Sequence, residues 1–297
     1  MHILITGGTG LIGSNLVPLL QPHKITVLTR DIAKATKILG TSVDYLSSLQ
    51  ELSDLNHFDI LINLAGEPIA DKKWSHKQKD RIEQSRWTIT QQLVSLIQAS
   101  DNPPNLFISG SAIGYYGRQQ DQVIDESFTD NHVEFSQQLC QKWESIAQQA
   151  ASQQTRVCIL RTGIVMTKKG GALKKMLLPF QLGLGGPIGR GQQYMPWIHL
   201  QDMLQGIIHL IDTPSCQGQY NFTAPNPVTN QEFSQALAAS LRRPCLFRVP
   251  EFVLKALMGE MADLVIYGQR VVPTRLLESG YDFSYQQIDQ ALSDLVK

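Results

Sequence analysis

The feature that most restricts this chain is a glycine turn, Gly7-Gly8-Thr9-Gly10-Leu11-Ile12-Gly13, placed directly after the apolar run Ile3-Leu4-Ile5-Thr6. It reads as GxGxxG through Gly8, Gly10 and Gly13, and as GxxGxxG through Gly7, Gly10 and Gly13. A glycine turn alone is common. One that links a strand to an amphipathic helix has a chemical logic. The turn needs a residue of free φ, a pyrophosphate approaches only where no Cβ stands, and the helix start offers unpaired N–H groups. Dinucleotide binding is therefore the expectation, with Gly7, Thr9, Gly10, Leu11, Ile12 and Gly13 as contacts.

The rest of the first half repeats the same alternation. Short apolar, β-branched runs predict strands at 3–6, 25–28, 59–64, 106–109 and 157–161, the pattern of buried parallel strands. Helical spacing falls between them at 14–20, at 78–98 (Ile82, Trp87, Leu93, Ile97) and at 134–150 (Phe135, Leu139, Trp143, Ile146). Alternation of this kind implies an α/β fold, a Rossmann-type doubly wound parallel sheet with right-handed crossovers.

Residues 168–195 break the pattern, with Gly183-Leu184-Gly185-Gly186-Pro187-Ile188-Gly189-Arg190-Gly191 at their centre. A flexible surface loop and a lid or backbone cradle are both open readings. A strand at 197–200 and a helix at 203–211 return to the first unit. The last quarter is mostly helical, with a capping box at Thr229 and Glu232 and a helix at 273–279 stopped by Gly280. The expected division is a nucleotide-binding domain at 1–165, rejoined by 196–222, and a smaller, mainly helical substrate domain from 166–195 and 223–297.

The second strand bears on which dinucleotide is held. An acidic residue about 20 positions past the glycines serves a free ribose 2′-hydroxyl, whereas an arginine suits a 2′-phosphate. Here the strand ends Leu28-Thr29-Arg30-Asp31. Arg30, helped by Thr29, makes NADP(H) the expectation; Asp31, one residue out of register, keeps NAD(H) as the alternative. Acids and bases balance at 26 each, which argues against nucleic acid or an anionic membrane as partner. No apolar run approaches the roughly 20 residues of a membrane span. The four cysteines lie far apart and match no zinc spacing, so no metal is expected. With no basic, apolar leader at the start, the expected location is cytoplasmic.

Taken together, the motifs resemble the extended short-chain dehydrogenase/reductases, the nucleotide-sugar epimerases and their relatives. The resemblance rests on the glycine turn, Asn63-Leu64-Ala65-Gly66, Ser109-Gly110-Ser111-Ala112, Trp197-Ile198-His199-Leu200-Gln201-Asp202 and Tyr220-Asn221-Phe222-Thr223. Further strings are similar to an atypical branch, the epimerase-family proteins, sometimes mislabelled cell-division inhibitors. They are Gly66-Glu67-Pro68-Ile69-Ala70, Ser85-Arg86, Gly114-Tyr115-Tyr116-Gly117, Arg161-Thr162-Gly163, Ala224-Pro225-Asn226-Pro227 and Pro273-Thr274-Arg275. The resemblance implies that Leu64, Ala65 and Gly66 border the cofactor's ribose and pyrophosphate. It implies that Ser109 and Ser111 sit near the nicotinamide, with Gly163 and Ile164 lining the same region.

One part of the family pattern is missing. Typical members carry Tyr-x-x-x-Lys, whose hydroxyl moves a proton while the lysine lowers its pKa. None of the eight tyrosines has lysine four residues on, and alignment through Glu144 puts the pair on Ser136 and Cys140. Ser111 and Tyr116 are the expected catalytic replacements, with Tyr115, Glu67 and Glu126 as further groups. Trp74, Lys79, Arg81 and Arg86 are candidates to meet an anionic substrate. Two functions stay open: an NADP(H)-dependent epimerase or carbonyl reductase acting on a small, sugar-nucleotide-like molecule, and a non-catalytic NADP(H)-binding regulatory or redox-sensing protein. Either a monomer or a homodimer is expected.

Overall fold

A computed structural model describes residues 1–296. Its centre is a sheet of seven parallel strands: β1 (His2–Thr6), β2 (Lys24–Leu28), β3 (Asp44–Leu46), β4 (Ile60–Asn63), β5 (Leu106–Ala112), β6 (Arg156–Thr162) and β7 (Gly218–Phe222). Their spatial order is β7-β6-β5-β4-β1-β2-β3. The order reverses at β1, which pairs with β2 on one side and β4 on the other, so the connections after β1 and β4 leave on opposite faces and open a crevice between them.

Side chains alternate across the sheet, and both sides are apolar. Ile3, Ile5, Ile60, Ile62, Leu106, Ile108, Cys158 and Leu160 fill one core. Leu4, Leu61, Phe107, Val157 and Ile159 fill the other. The first face is covered by α1 (Gly13–Leu16) and by α6 (Leu200–Asp212), through Met203, Ile207 and Leu210. The second is covered by α3 (His76–Gln98) and α4 (Phe135–Gln148), through Leu93, Val94, Ile97, Ile146 and Ala147. A third core, around Trp197, Phe180, Phe233, Leu237 and Leu292, joins α5 (Gly171–Gln181), α7 (Asn230–Ser240) and the final helix Ile288–Val296.

The strands expected from sequence are all present, most of them slightly longer or shorter than the apolar runs. β5 extends through Gly110, Ser111 and Ala112, pairing with Leu160, Arg161 and Thr162, where small polar residues erase the hydrophobic pattern. The helix expected at 14–20 becomes a single α-turn followed by a 3₁₀ turn, Val17–Leu20. Pro18 has no N–H with which to continue the α pattern. The run at 197–200 is a strand at Trp197–His199, but it pairs with Ile164–Met166 outside the main sheet. The capping box at Thr229 and Glu232 is formed, and Gly280 follows Thr274–Glu278 with φ of +86°.

Residues 168–195 are not one long loop. They contain α5, which buries Leu173 and Phe180 despite an internal Pro179. The segment reaches the glycine turn, because a Cβ at Gly170 would stand 3.1 Å from the Leu11 side chain. It is also tied to the stretch after β4, where Lys175 bonds Asp71 at 2.8 Å and the Ala70 carbonyl at 3.1 Å. By contrast α8 (Glu251–Met258) buries none of its residues, and Phe252 and Leu257 are exposed.

Candidate functional site

The turn after β1 is shaped by contacts that admit only glycine at two points. Gly7 has φ of +70°, and a Cβ there would lie 2.5 Å from the Leu64 carbonyl at the end of β4. At Gly13 a Cβ would lie 2.4 Å from the Gly7 oxygen, so helix and turn touch directly. Gly10 is different. It is exposed, and its Cβ would meet only the Gly7 oxygen, at 3.2 Å. Among the described residues the N–H groups of Leu11 and Ile12 have no hydrogen-bond partner. The turn thus has a packed inner side and an open outer side lined with free donors, the form a phosphate-binding cradle takes.

At the end of β2, Arg30 is exposed and makes no ion pair among the described residues. Asp31 is committed elsewhere. Its carboxylate accepts the Lys34 N–H at 2.9 Å and caps α2 (Ile32–Leu39). Thr29 supports the same bend by accepting the Asp31 N–H at 3.3 Å.

Leu64, Ala65 and Gly66 follow β4 into the crevice and are at least partly exposed. A buried polar chain fixes their approach: the Thr6 hydroxyl donates to Asn63 Oδ1 (2.6 Å), and Asn63 Nδ2 donates to the Thr90 hydroxyl (2.9 Å). The Trp143 indole donates to the same hydroxyl (3.0 Å), which in turn donates to the Arg86 carbonyl (2.6 Å). Ser109 is fully buried in the middle of β5, with only a long side-chain contact to the Gly110 carbonyl. Gly163 donates its N–H to Phe222, and a Cβ there would lie 2.4 Å from the Pro196 oxygen. Ile164 donates to Pro196 at 2.7 Å.

The expected catalytic residues lie in one network, and that network is closed. The Ser111 hydroxyl donates to Glu144 Oε1 at 2.6 Å. Arg161 grips the same carboxylate through Nε (3.0 Å) and Nη2 (2.9 Å), with both side chains buried. Its Nη1 donates to the Tyr116 hydroxyl (3.0 Å), which donates to Asn221 Oδ1 (2.7 Å). Asn221 Nδ2 reaches the Val272 carbonyl (3.0 Å), so the chain runs from β5 to the C-terminal quarter. Burial pushes the Tyr116 phenol up to about 12, against the pull of Arg161. Burial disfavours the Arg161 charge, yet the Glu144 hydrogen bonds and charge win and hold it protonated. Tyr116 is 0% exposed with its hydroxyl spoken for. In this arrangement the hydroxyl is bonded inside the protein, to Arg161 and Asn221.

Other sequence candidates are placed equally clearly. Glu126 accepts the Asn221 N–H (2.8 Å) and the Arg275 N–H (3.3 Å), joining β7 to the C-terminal segment. Burial raises its pKa, against those two N–H bonds. Lys79 is paired with Glu260 at 2.7 Å, and the Trp74 indole donates to the Ile69 carbonyl. Ser136 and Cys140 both lie on α4, facing Gly114. Burial, then the Glu144 charge, pushes the Cys140 thiol up to about 12, so it is no thiolate. Tyr115 is half-buried with Arg161 stacked 3.6 Å from its ring, and Glu67 is half-buried beside Ser85. The Glu144–Arg161 pair carries no sequence signal, because its members lie 17 residues apart on different elements. Among the described residues no cluster of His, Cys, Asp and Glu is fit to hold a metal ion, and no helix is long and apolar enough to cross a membrane.

Residues 3–222 match the NAD dependent epimerase/dehydratase family. The chain belongs to that family. Residues 249–295 of this epimerase-family protein match a second model, a domain of unknown function, DUF1731. The protein is 38% identical over 305 residues to the epimerase family protein SDR39U1 homolog, chloroplastic, of Arabidopsis thaliana, covering 100% of this chain and 87% of that one. It is 35% identical over 299 residues to the epimerase family protein YfhF of Bacillus subtilis, covering 100% and 98%. Among solved structures, human epimerase family protein SDR39U1 (isoform 2) with NADPH superposes with a TM-score of 0.90 at 34% identity, covering 99% of each chain.

Proposed function

We propose that this epimerase-family protein binds NADPH across the carboxyl ends of β2, β1, β4 and β5. The observation that carries the reading is the glycine turn, whose outer side is open at Gly10 and lined by the free N–H groups of Leu11 and Ile12. Arg30 is the proposed holder of the 2′-phosphate. It is exposed and makes no ion pair among the described residues, whereas Asp31, the residue that would serve a 2′-hydroxyl, is used as a helix cap. The human relative was crystallised with NADPH, which supports the same choice. Thr9, Thr29, Leu64, Ala65, Gly66, Ser109, Gly163 and Ile164 complete the proposed contact set.

When bound, NADPH supplies a hydride. The substrate side is proposed to be 166–195 with 223–297, and the substrate a small carbonyl or sugar-nucleotide-like molecule. Turnover as an epimerase or reductase also needs a proton-transfer group. Tyr116 is enclosed, so Tyr115 and Glu67 are the proposed alternatives, with Ser111 held in place by Glu144. A second reading, an NADPH-binding regulatory protein without turnover, is favoured by one observation: every polar group of the Ser111–Tyr116 network is already paired inside the protein.

Calorimetric titration with NADPH, NADH and adenosine 2′,5′-bisphosphate tests the first step. The expected outcome is tight NADPH binding, weak NADH binding, and a loss of about tenfold or more for NADPH and the bisphosphate in Arg30→Ala. Equal affinity for NADPH and NADH would overturn the assignment of Arg30. Oxidation of bound NADPH by any member of a carbonyl panel would remove the regulatory reading.

A further inference from the structure

We infer that Arg86 is a cofactor-binding residue, holding the ribose and adjoining phosphate of the nicotinamide half. The inference rests on the proposed NADPH site and goes beyond it. The direction of the dinucleotide follows from the sheet. Arg30 stands at the end of β2 and the glycine turn at the end of β1, with β4 and β5 next in order. A dinucleotide with its 2′-phosphate at Arg30 and its pyrophosphate on the turn therefore lays its other half over β4 and β5.

Arg86 is the cation at that place. It comes from α3, and its guanidinium lies against Gly66, where a Cβ would stand 2.9 Å from Cζ. Gly66 is exposed, so the guanidinium borders the crevice. Its stem is held firmly. Nη1 donates to the Ile82 carbonyl at 3.1 Å, the Arg86 carbonyl accepts from Thr90 at 2.6 Å, and the guanidinium stacks 5.3 Å from the Trp143 ring centre. Yet among the described residues it has no carboxylate within ion-pair distance. A guanidinium carries five donors, and most of these remain unused. A partly buried cation that is locked in place and left unpaired is poised for an external anion or hydroxyl pair. On the facing helix, Lys142 is drawn onto the Trp87 ring and Glu144 is taken by Arg161, while Ser136 and Cys140 face Gly114.

The test pairs two ligands with two variants. Adenosine 2′,5′-bisphosphate contains only the adenosine half, so it reports on the Arg30 end and on correct folding; NADPH reports on both halves. Arg86→Gln is expected to weaken NADPH by about ten- to a hundredfold while the bisphosphate stays within about twofold, and Arg86→Lys to recover part of the loss. Unchanged NADPH affinity in Arg86→Gln overturns the inference and leaves the NADPH site standing. An equal loss for both ligands overturns it as well, since Arg86 is then only a structural support. If the unmodified protein binds neither ligand, the NADPH site itself fails and this inference falls with it.

Discussion

The two halves of the crevice handle their polar groups in opposite ways. Around the glycine turn, donors are left open: among the described residues the Leu11 and Ile12 N–H groups, the Arg30 side chain and most of the Arg86 fork have no protein partner. Around Ser111, Glu144, Arg161, Tyr116 and Asn221, every group is matched to another across five elements and the C-terminal segment. An unpaired polar group in a fold costs free energy unless a ligand or water completes it, so the open half has the character of a binding site. The closed half has the character of a joint. This network fastens the sheet to the last quarter of the chain.

That contrast can be broken most forcefully at the joint. Glu144→Leu leaves Arg161 buried without its counter-charge, and the expected loss is about 3–5 kcal/mol in urea unfolding. A loss below about 1 kcal/mol would mean that the pair is solvated and the joint is loose. Next in size, Tyr116→Phe strips one partner from Arg161 and from Asn221, with an expected cost of about 1–3 kcal/mol and unchanged NADPH affinity. The opposite result, full stability with abolished turnover, would return Tyr116 to a catalytic role.

The open half answers to a different probe. Gly10→Ala brings a Cβ to 3.2 Å from the Gly7 oxygen, a contact the turn must ease slightly, so the melting temperature should fall only a little while NADPH affinity falls about tenfold, ~1.4 kcal/mol. Should affinity hold, the cofactor does not approach Gly10. The smallest effect is in pH. Burial raises the Glu126 pKa above its ordinary 4.5, so the folded state keeps a proton that the unfolded chain has released. Its contribution is intact below about 4.5 and is lost as pH rises through the raised folded value. Glu126→Gln should flatten that fall by at most about 1.4 kcal/mol per pH unit. An identical slope in both proteins would place the titration elsewhere.

How much of this was legible in the sequence follows the same divide. The glycine turn was readable because backbone geometry demands a residue type at fixed spacing. The parallel strands were readable because a sheet buried on both faces writes continuous apolar runs. The place of Arg30 just past β2 was readable by register, and the capping role of Asp31 had a signal too: an aspartate immediately before a helical run, three residues ahead of the N–H it accepts. The joint was not readable. Glu144 and Arg161 meet only after α4 folds back across β6, and no periodicity marks a pair made by tertiary contact. Helix α5 was hidden by its glycines, lysines and Pro179, though Leu173 and Phe180 sit two helical turns apart on a buried face.

The position of β7 has a consequence for how the chain is made. Synthesis delivers β1 to β5 within the first 112 residues, enough for a five-stranded sheet that leaves β5 as an edge. That edge carries Leu106, Phe107 and Ile108, an apolar strand whose pairing partner is missing until residues 156–162 emerge, and β6 then waits for 218–222. At ribosomal rates of about 5–20 residues per second the first exposure lasts several seconds. The nascent protein is therefore most open to mispairing with its neighbours in the interval between β5 and β6, and slowing translation across residues 113–155 should lower the soluble yield more than slowing it anywhere after 222.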